Sequence, residues 1–250
     1  MHYGICALSV IPVRSLADEA SEMTNQVLYG EHFKVLEQRK FWSRIRIASD
    51  GFEGWVSNVQ IILITEEDYY EIESSKEPKY SANLVSFVSN KADVLLPIIL
   101  GSSVHNVKNL PNAFEGDFTN SQGEKPSLVK TALQYLNAPF LSGGRTPFGI
   151  DSSGFTQMVY KINGYSLKRN AAEQCNQGDA LSFIEESEPG DLAFFDNNDG
   201  DINHVGIIMK DNYIIHAFGK VRIDRIDHTG IFNSETRTYS HSLRVIKKII

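Results

Sequence analysis

Cysteine is scarce in this chain: of its 250 residues, only Cys6 and Cys175 carry a thiol. Two cysteines set far apart among apolar or amide neighbours form neither a disulfide framework nor a metal-binding knuckle. We therefore predict that both are free, buried thiols. The histidines offer no alternative metal site, because most of them are scattered without ligand spacing. These scattered residues are His2, His32, His105, His228 and His241. The sequence predicts no metal and no other cofactor.

Long apolar runs and an excess of basic residues are also missing. No run approaches 18 apolar residues, and the first stretch, MHYGICALSVIPVR, lacks a basic region followed by a continuous apolar segment. A formal net charge of −7 argues against nucleic acid or an anionic membrane as the main partner. We expect a cytoplasmic protein that binds a small polar ligand, with no obligate protein partner evident.

What is present predicts a globular protein that begins with a small β-barrel. A hydrophobic fraction of 42% and a charged fraction of 22% exclude disorder as the main theme. Short strand signals separated by turn residues fill residues 3–66, and several alternate with period two, as in residues 42–47. Asp50 and Gly51 form a hairpin-turn signal. Trp42 and Trp55 are interpreted as aromatics of the barrel core or of a groove.

The remaining chain divides by composition. Residues 65–79 are acidic and polar, which indicates a short helix or linker, and residues 80–123 indicate a second small β unit. After Pro126, residues 127–136 have helical spacing, and several apolar strands follow later. A helical subdomain followed by an antiparallel sheet is the α+β pattern. We predict three segments, residues 1–75, 76–125 and 126–250.

The central stretch is GGRTPFGIDSSGFTQMVY, residues 143–160. Its glycine-rich part is typical of a loop, and the apolar spacing after it predicts a helix. Ser152 stands at the first turn of that helix, where free N–H groups and the helix dipole stabilise an anion. A thiol would become acidic in this position, whereas a serine hydroxyl needs an adjacent base. Ser152 is therefore a candidate nucleophile that requires a base from elsewhere in the chain.

Two histidines downstream can supply that base. His204 and His216 lie 12 positions apart (216 − 204), on two strand signals joined by a turn near residues 210–212. A hairpin of this size can bring both rings to one face. The first imidazole then accepts the proton of the nucleophile, and the second orients it through its other nitrogen. Taken singly, each histidine is more often a structural residue, so the prediction depends on the set.

Four motifs in this part of the chain resemble those of a known family. They are GG-x-x-P-x-GID-x-SGF, EPGDLAFF, HVGII and IIHA. In this order and spacing they resemble the NlpC-type cell-wall peptidases, which are papain-like cysteine endopeptidases. The resemblance covers residues 126–250. The N-terminal stretches VIPVR, LYGEHFKVLEQRKFWSRIRI and DGFEGWV, in that order, resemble the bacterial SH3-like domains attached to cell-wall enzymes. With this part included, the whole chain resembles the cytoplasmic γ-D-glutamyl-L-diamino-acid endopeptidases of murein-peptide recycling.

The resemblance implies a fold, a substrate and roles for named residues. The fold would be a papain-like α+β catalytic domain preceded by one or two SH3-like barrels. The substrate would be a murein tripeptide or tetrapeptide with a free N-terminal L-alanine. Ser152 would take the place of the nucleophilic cysteine, His204 that of the general base and His216 that of the residue orienting the base. Asp151 and Ser153 would help to form the substrate pocket, beside an SH3-like wall for which Tyr69 and Tyr70 are candidates.

This chain departs from the family pattern at three places. Ser152 replaces the thiolate. Ser142 stands in a Leu-Ser pair where relatives usually have an aromatic residue and a tryptophan, so a stacking surface is lost. In the segment that begins at Arg169, Asn170 stands where relatives have an aspartate that pairs with the amino group of the substrate. Losing one partner of a desolvated charge pair costs about 2–5 kcal/mol.

Three interpretations follow from these matches and departures. The chain is a peptidase, in which Ser152 is native or was introduced to trap a substrate. Alternatively, it is a relative that binds muropeptides without cleaving them, or an SH3-like scaffolding protein. Ser142 and Asn170 have no reason to accompany a trap, which favours natural divergence. His204 and His216 keep hydrolysis or ligand binding ahead of scaffolding, although fold alone does not fix activity.

Overall fold

The computed structural model describes residues 2–75, 78–90, 92–104, 110, 113–119, 122–197 and 199–250. His105 lies outside the described residues. The chain divides into two compact units, residues 1–121 with 142–146 and residues 122–141 with 147–250. The segment boundaries proposed from composition, at residues 75 and 125, stay predictions.

The first unit is built mainly of short antiparallel strands. Seven of them form one sheet in the order β3-β2-β6-β5-β4-β1-β7. Their bounds are β1 His2–Ile5, β2 Val10–Arg14, β3 Met23–Leu28, β4 His32–Gln38, β5 Trp42–Ile47, β6 Glu53–Ser57 and β7 Ile62–Ile64, with a 3-10 turn at Asn58–Gln60. Alternate apolar side chains of β2, β4 and β5 point into one core with Cys6 and Val56. The small barrel expected at the N-terminus is confirmed.

Helix α1, Glu66–Glu73, follows the sheet and begins at a capping box. Thr65 accepts a hydrogen bond from the N–H of Asp68, and the Asp68 carboxylate accepts one from the Thr65 N–H. Tyr69 is buried against Tyr3, with ring centroids 4.6 Å apart, whereas Tyr70 is half-exposed. Of the two tyrosines suggested for substrate contact, Tyr69 therefore serves to pack α1 on the sheet.

Short strands complete the first unit. They are β8 Tyr80–Ser81, β9 Val85–Ser89, β10 Leu95–Ile99, β11 Ala113–Phe114, β12 Phe118–Thr119 and β13 Arg145–Thr146. Val88 and Ile98 share a buried cluster with Ile5 and Ile72, so these strands pack on the first sheet rather than around a core of their own. Trp55 is buried with the Arg39 guanidinium 4.2 Å from its ring, and Trp42 is half-buried.

The second unit joins helices to an antiparallel sheet. Its helices are α2 Lys125–Leu133, α3 Ser152–Ile162 and α4 Ala171–Gln174. Its strands are β14 Gly149–Ile150, β15 Asp179–Leu181, β16 Leu192–Asp196, β17 Ile202–Met209, β18 Tyr213–Phe218, β19 Lys220–Ile226, β20 Gly230–Asn233 and β21 Thr238–Lys248, with 3-10 turns at Ile184–Glu186 and Lys210–Asn212. The large sheet has the order β15-β21-β16-β17-β18-β19-β20, and β20 also pairs with β21, which closes six strands on themselves. The α+β prediction is confirmed.

The EPGD motif stabilises this unit. Gly190 adopts a φ of 107°, which favours glycine, and its carbonyl accepts a hydrogen bond from the Tyr160 hydroxyl at 2.6 Å. The Asp191 carboxylate accepts from the Lys125 ammonium at 2.7 Å and from the N–H of Glu188 at 2.8 Å. The motif therefore ties the start of α2 and the buried helix α3 to the beginning of β16.

The remaining sequence predictions divide. Cys6 and Cys175 are both free thiols, as expected. Cys6 is fully buried, and burial raises the pKa of its thiol to about 12, but Cys175 is only partly buried, so the expectation of two buried thiols is half wrong. Among the described residues, no helix is both long and apolar enough to span a membrane.

Candidate active site

Ser152 is the first residue of the buried helix α3. Asp151 precedes it as the N-cap, and its carboxylate accepts a hydrogen bond from the N–H of Gly154 at 2.7 Å. Ser152 itself is 6% exposed. The first N–H groups of a helix have no partner within the helix, and they carry its positive dipole end. The start of α3 is therefore able to stabilise negative charge next to Ser152.

Three residues expected in the substrate pocket lie together beside this helix start. Arg169 donates from Nη1 to Asp151 Oδ1 at 3.0 Å and from Nη2 to Asp151 Oδ2 at 2.5 Å. Its Nη1 also donates to Ser153 Oγ at 3.0 Å. Arg169 is 2% exposed, so its charge is neutralised within the protein. This network fixes the N-terminal turn of α3, whether or not its members also contact a ligand.

A second buried network supports the same turn, and sequence reasoning missed it. Thr156 Oγ1 donates to Gln174 Oε1 at 2.7 Å, and Gln174 Nε2 donates to the carbonyl oxygens of Ser153 and Lys168 at 2.9 and 2.8 Å. Gln174 is fully buried at the end of α4. A buried amide with satisfied partners holds its surroundings rigidly. Rigid support of this kind is what a precisely placed nucleophile needs.

The hairpin of β17 and β18 brings His204 and His216 together, as the 12-residue spacing predicts. His204 Nε2 lies 2.9 Å from His216 Nδ1, and both rings are buried. Gly206 pairs with His216 across the hairpin, and a Cβ at Gly206 would come within 2.9 Å of the His216 Cβ. The glycine of the HVGII motif therefore makes room for His216. Helix α3 packs against both strands.

Asp224 on β19 continues this line of groups, and sequence reasoning missed it. His216 Nε2 lies 3.0 Å from Asp224 Oδ2. Arg222 donates to both oxygens of Asp224, from Nε at 2.6 Å and from Nη2 at 3.0 Å. Asp224 pairs with Ile214 across β18 and β19, two residues from His216 on the same face. Strand pairing could have revealed it, but the end of β18 is not marked clearly enough in the sequence to fix the register.

The hydrogen-bond partners determine the tautomer of each histidine. An ionised Asp224 only accepts hydrogen bonds, so His216 donates to it from Nε2. The Nδ1 of a neutral His216 is then an acceptor, and His204 must donate to it from Nε2. The Nδ1 of a neutral His204 is consequently unprotonated. Residues Asp224, His216 and His204 thus form a directed chain that leaves one basic nitrogen at its end.

The pKa directions agree with this assignment. Burial lowers the pKa of His204 well below the ordinary 6.5, and the neighbouring His241 and His216 lower it further. Burial also lowers the pKa of His216, more than Asp224 raises it. For Asp224, burial acts to raise the pKa, but the hydrogen bonds from His216 and Arg222 outweigh it, so the pKa lies below the ordinary value. Both imidazoles are therefore neutral and the carboxylate is charged near pH 7.

His241 on β21 belongs to the same cluster, and its classification as a scattered histidine is wrong. Its ring stacks on that of His204, with centroids 4.0 Å apart and planes inclined by 22°. Phe195 and Phe218 also contact the cluster, at 5.7 Å from His204 and 4.9 Å from His241. Burial is the main reason that the pKa of His241 falls to about 4. Pairing across three strands, rather than spacing along the chain, brings it here.

These three histidines are also the group of described residues that could approach a metal ion. One nitrogen of each lies within 4.8 Å of the others. Imidazole lone pairs lie in the ring plane, so ligands must aim their planes at one point. The nearly parallel rings of His204 and His241 do not converge in this way, and the His204–His216 nitrogens share a hydrogen bond. The arrangement fits a proton chain better than a metal centre.

The other predicted site residues are exposed. Asn170 precedes α4 and donates from its amide to Glu173 Oε2 at 3.1 Å. Ser142 is exposed and belongs to the first compact unit. Neither residue takes part in the hydrogen-bonded chain that includes His204. Their predicted roles in substrate binding stay predictions.

Comparison with known proteins assigns the domain that holds this site. Residues 137–239 match the NlpC/P60 family, and residues 13–61 match the bacterial dipeptidyl-peptidase SH3 domain. Residues 137–239 form an NlpC/P60 domain. The family prediction made from the four motifs is thereby confirmed. Ser152, His204, His216 and Asp224 all lie within the NlpC/P60 domain, whereas His241 lies just beyond the matched residues.

Relatives and a solved structure extend the similarity beyond the NlpC/P60 domain. The gamma-D-glutamyl-L-lysine dipeptidyl-peptidase of Bacillus cereus is 26% identical, with 79% of this chain and 68% of the relative covered. The protein of the same name from Bacillus subtilis is 25% identical, with 77% and 71% covered. The crystal structure of an NlpC/P60 family protein from Bacillus cereus shares the fold at a TM-score of 0.81 and 18% identity, with 99% of each chain covered. The chain thus carries an NlpC/P60 domain, and the relatives that match most of its length are named peptidases.

Proposed function

We propose that this protein hydrolyses the γ-D-glutamyl-L-diamino acid bond of short murein peptides with a free N-terminal L-alanine, with Ser152 as the nucleophile. The observation that carries the proposal is the chain from Asp224 through His216 to His204, which leaves His204 Nδ1 as a base. The names of the Bacillus relatives, which specify a gamma-D-glutamyl-L-lysine bond, support this substrate class. Recycling of murein peptides is the process in which such an activity would serve.

In the first step, Ser152 Oγ attacks the carbonyl carbon of the scissile bond while His204 Nδ1 takes its proton. His204 becomes positively charged, and its Nε2–H remains hydrogen-bonded to His216 Nδ1. Asp224 holds His216 in the tautomer that accepts this bond. Backbone N–H groups at the start of α3 stabilise the oxygen that becomes negative.

The second half of the reaction returns the site to its starting state. The imidazolium gives its proton to the departing amine of the diamino acid, which leaves an ester between Ser152 and the γ-carbonyl of glutamate. His204 then removes a proton from water, and the hydroxide attacks the ester. The proton returns to Ser152, and the dipeptide L-Ala-γ-D-Glu is released.

A non-cleaving muropeptide binder is the second candidate, and the residue at position 152 favours it. A serine hydroxyl is far less acidic than a thiol, so a site shaped for a thiolate need not activate it. The intact networks around Asp151, Arg169 and Gln174 would still preserve the shape of the site in such a protein.

A hydrolysis assay with matched variants separates the two candidates. Wild type and the variants Ser152→Cys and Ser152→Ala are incubated with L-Ala-γ-D-Glu-L-Lys and with its diaminopimelate counterpart. We expect release of L-Ala-γ-D-Glu by wild type and none by Ser152→Ala. High peptide concentrations are needed, because Asn170 replaces the aspartate expected to hold the amino group.

Calorimetry with the same peptides completes the test. Peptide binding without cleavage by wild type would replace the peptidase proposal with the binder. The absence of both heat and cleavage would reject both candidates. Cleavage by Ser152→Cys alone would mean that the site is intact and that the native hydroxyl is the defect.

A further inference from the structure

His241 covers one face of the candidate base. Its ring lies 4.0 Å from that of His204, nearly parallel to it. Phe195 lies 5.7 Å from His204 and 5.9 Å from His241, and Phe218 meets His241 edge-on at 4.9 Å. The base is therefore flanked by the rings of His241 and Phe195 besides that of His216, and Phe218 packs against His241. Such an enclosure removes water from the imidazole and limits its rotation.

The position of His241 is itself well determined. Its Nδ1 lies 2.9 Å from Ser240 Oγ, and this hydroxyl also lies 3.4 Å from the carbonyl oxygen of Ile231. Gly230 has a φ of 148°, and a Cβ at Gly230 would collide with the His241 carbonyl oxygen. Strands β20 and β21 therefore approach closely at His241. The side chain is held from its own strand and from the neighbouring one.

This enclosure acts on the charge of His204. A protonated His204 would be a buried cation next to two other imidazoles and the apolar ring of Phe195, which is costly unless a negative charge is in contact. The carboxylate of Asp224 is not in contact with His204, because His216 stands between them, and Arg222 already neutralises it. The lowered pKa of His204 agrees with this cost, and His241 is the first neighbour that contributes to it after burial.

We propose that His241 is a positioning residue whose stacking keeps His204 neutral, so that the site suits a general base acting on a hydroxyl rather than an imidazolium–thiolate pair. This inference rests on the proposed function, and it adds a reason why His204 can act as a base toward a serine hydroxyl. A cysteine nucleophile in a papain-like site works as a thiolate beside a charged imidazole. A serine nucleophile needs the opposite resting state, a neutral imidazole that accepts its proton. The neutral His204 that His241 favours is thus the form of the base that a serine nucleophile at position 152 requires.

Other titratable groups lie on the elements packed around β17, and the test must leave them unchanged. The elements packed against β17 carry Asp196 on β16, Tyr213 and His216 on β18, Tyr160 and Lys161 on α3, Glu173 on α4, and Lys125 and Lys130 on α2. Nearby are Asp224 and Arg222 on β19, His241 on β21, and Asp151 at the start of α3 with its partner Arg169. Lys125 is paired with Glu188 and Asp191. All of these except His241 itself are retained when only His241 is substituted.

The test measures the acidity of a thiol placed at position 152, and it requires no peptide turnover. The full chain carries Ser152→Cys together with Cys175→Ser, which removes the partly exposed thiol. Alkylation by iodoacetamide is followed by mass spectrometry from pH 4 to 9, with His241 intact, His241→Ser or His241→Phe. The midpoint of the rate profile is compared, because the absolute rate also depends on access. His228→Ser, at an exposed histidine, is the matched control.

With His241 intact, we expect the midpoint to lie near that of an ordinary thiol, about 8.5. His241→Ser opens the enclosure and should lower the midpoint by at least one unit, because His204 can then become charged and stabilise the thiolate. His241→Phe keeps a ring over His204 but removes the second imidazole, so we expect a smaller fall in the midpoint. This variant replaces His241→Ser in the test if the serine variant does not fold. His228→Ser should change nothing. Equal midpoints with and without His241 would overturn the proposal, whether or not the wild type cleaves peptides.

Discussion

At the scale of single residues, Asp224 controls which nitrogen of His204 is basic. It accepts from His216 Nε2 at 3.0 Å, and its pKa lies below the ordinary value, so it remains a carboxylate. His216 cannot turn its proton toward His204 without leaving Asp224. The orientation of the hydrogen-bonded chain thus depends on one acceptor on β19, the strand next to the motif-bearing β18.

Asp224→Asn should therefore impair catalysis more than binding. An amide at this position can donate to His216 Nε2, which moves the His216 proton to Nδ1 and the His204 proton to its own Nδ1. The base is then blocked, and we expect kcat to fall by at least about 100-fold with little change in KM, as expected for a wrong tautomer. Steady-state kinetics on wild type or on Ser152→Cys, whichever is faster, measures this effect. Asp227→Asn, on the following turn, is the control, and equal losses in both variants would contradict the assignment.

At the scale of elements, a buried ion pair holds strand β13 in the first unit. Arg145 on β13 donates from Nη1 and Nη2 to the two carboxylate oxygens of Glu31, both at 2.9 Å. Its backbone N–H and Nη1 also donate to Gln26 on β3, each at 2.7 Å. Arg145 and Glu31 are 0% and 4% exposed. The glycine-rich motif GGRTP does not predict that Arg145 forms a buried ion pair, because a charged residue in a loop is expected at the surface.

Removing one partner of this pair should be much more harmful than removing both. Arg145→Met leaves a buried carboxylate unpaired, and we expect a loss of about 3–5 kcal/mol in the free energy of unfolding. The double variant Glu31→Met with Arg145→Met should recover most of this loss, because apolar replacements of a buried pair are often neutral. Urea unfolding of the full chain checks both values. A double variant less stable than Arg145→Met would show that the pair itself stabilises the unit.

At the scale of the whole molecule, the sequence predicts the helices and strands along the chain better than it predicts the contacts between them. Strand β5, the helix after Ser152 and the His204–His216 hairpin follow from periodicity and turn signals, which are local. The site roles of Asp224 and His241 were not predicted, because these residues reach the site through the pairing of β18 with β19 and the packing of β21. The role of Gln174 was not predicted, because a buried amide in a four-residue helix produces no recognisable sequence pattern. Local signals define elements, and the register between strands defines the site.

The buried histidines also make the stability of the molecule depend on pH. The pKa values of His204, His216 and His241 are all lowered by burial, so the unfolded chain takes up protons first as the pH falls below about 6.5. Stability should therefore decrease from pH 7 to pH 5.5, by about 1 kcal/mol for each of the buried His204 and His216 and by less for the partly buried His241. Urea unfolding at both pH values measures the decrease, and His204→Gln should reduce it by about 1 kcal/mol. A stability that is constant or rises toward pH 5.5 would show that these rings are charged in the folded protein.

The central claim is that the hydroxyl of Ser152, activated by His204, cleaves a γ-D-glutamyl peptide. The most direct measurement compares wild type with Ser152→Ala at the same high concentration of L-Ala-γ-D-Glu-L-Lys, and follows the release of L-Ala-γ-D-Glu over time. The account predicts steady release by wild type and none above background by Ser152→Ala. Equal rates for the two proteins, or no release by wild type, would contradict it.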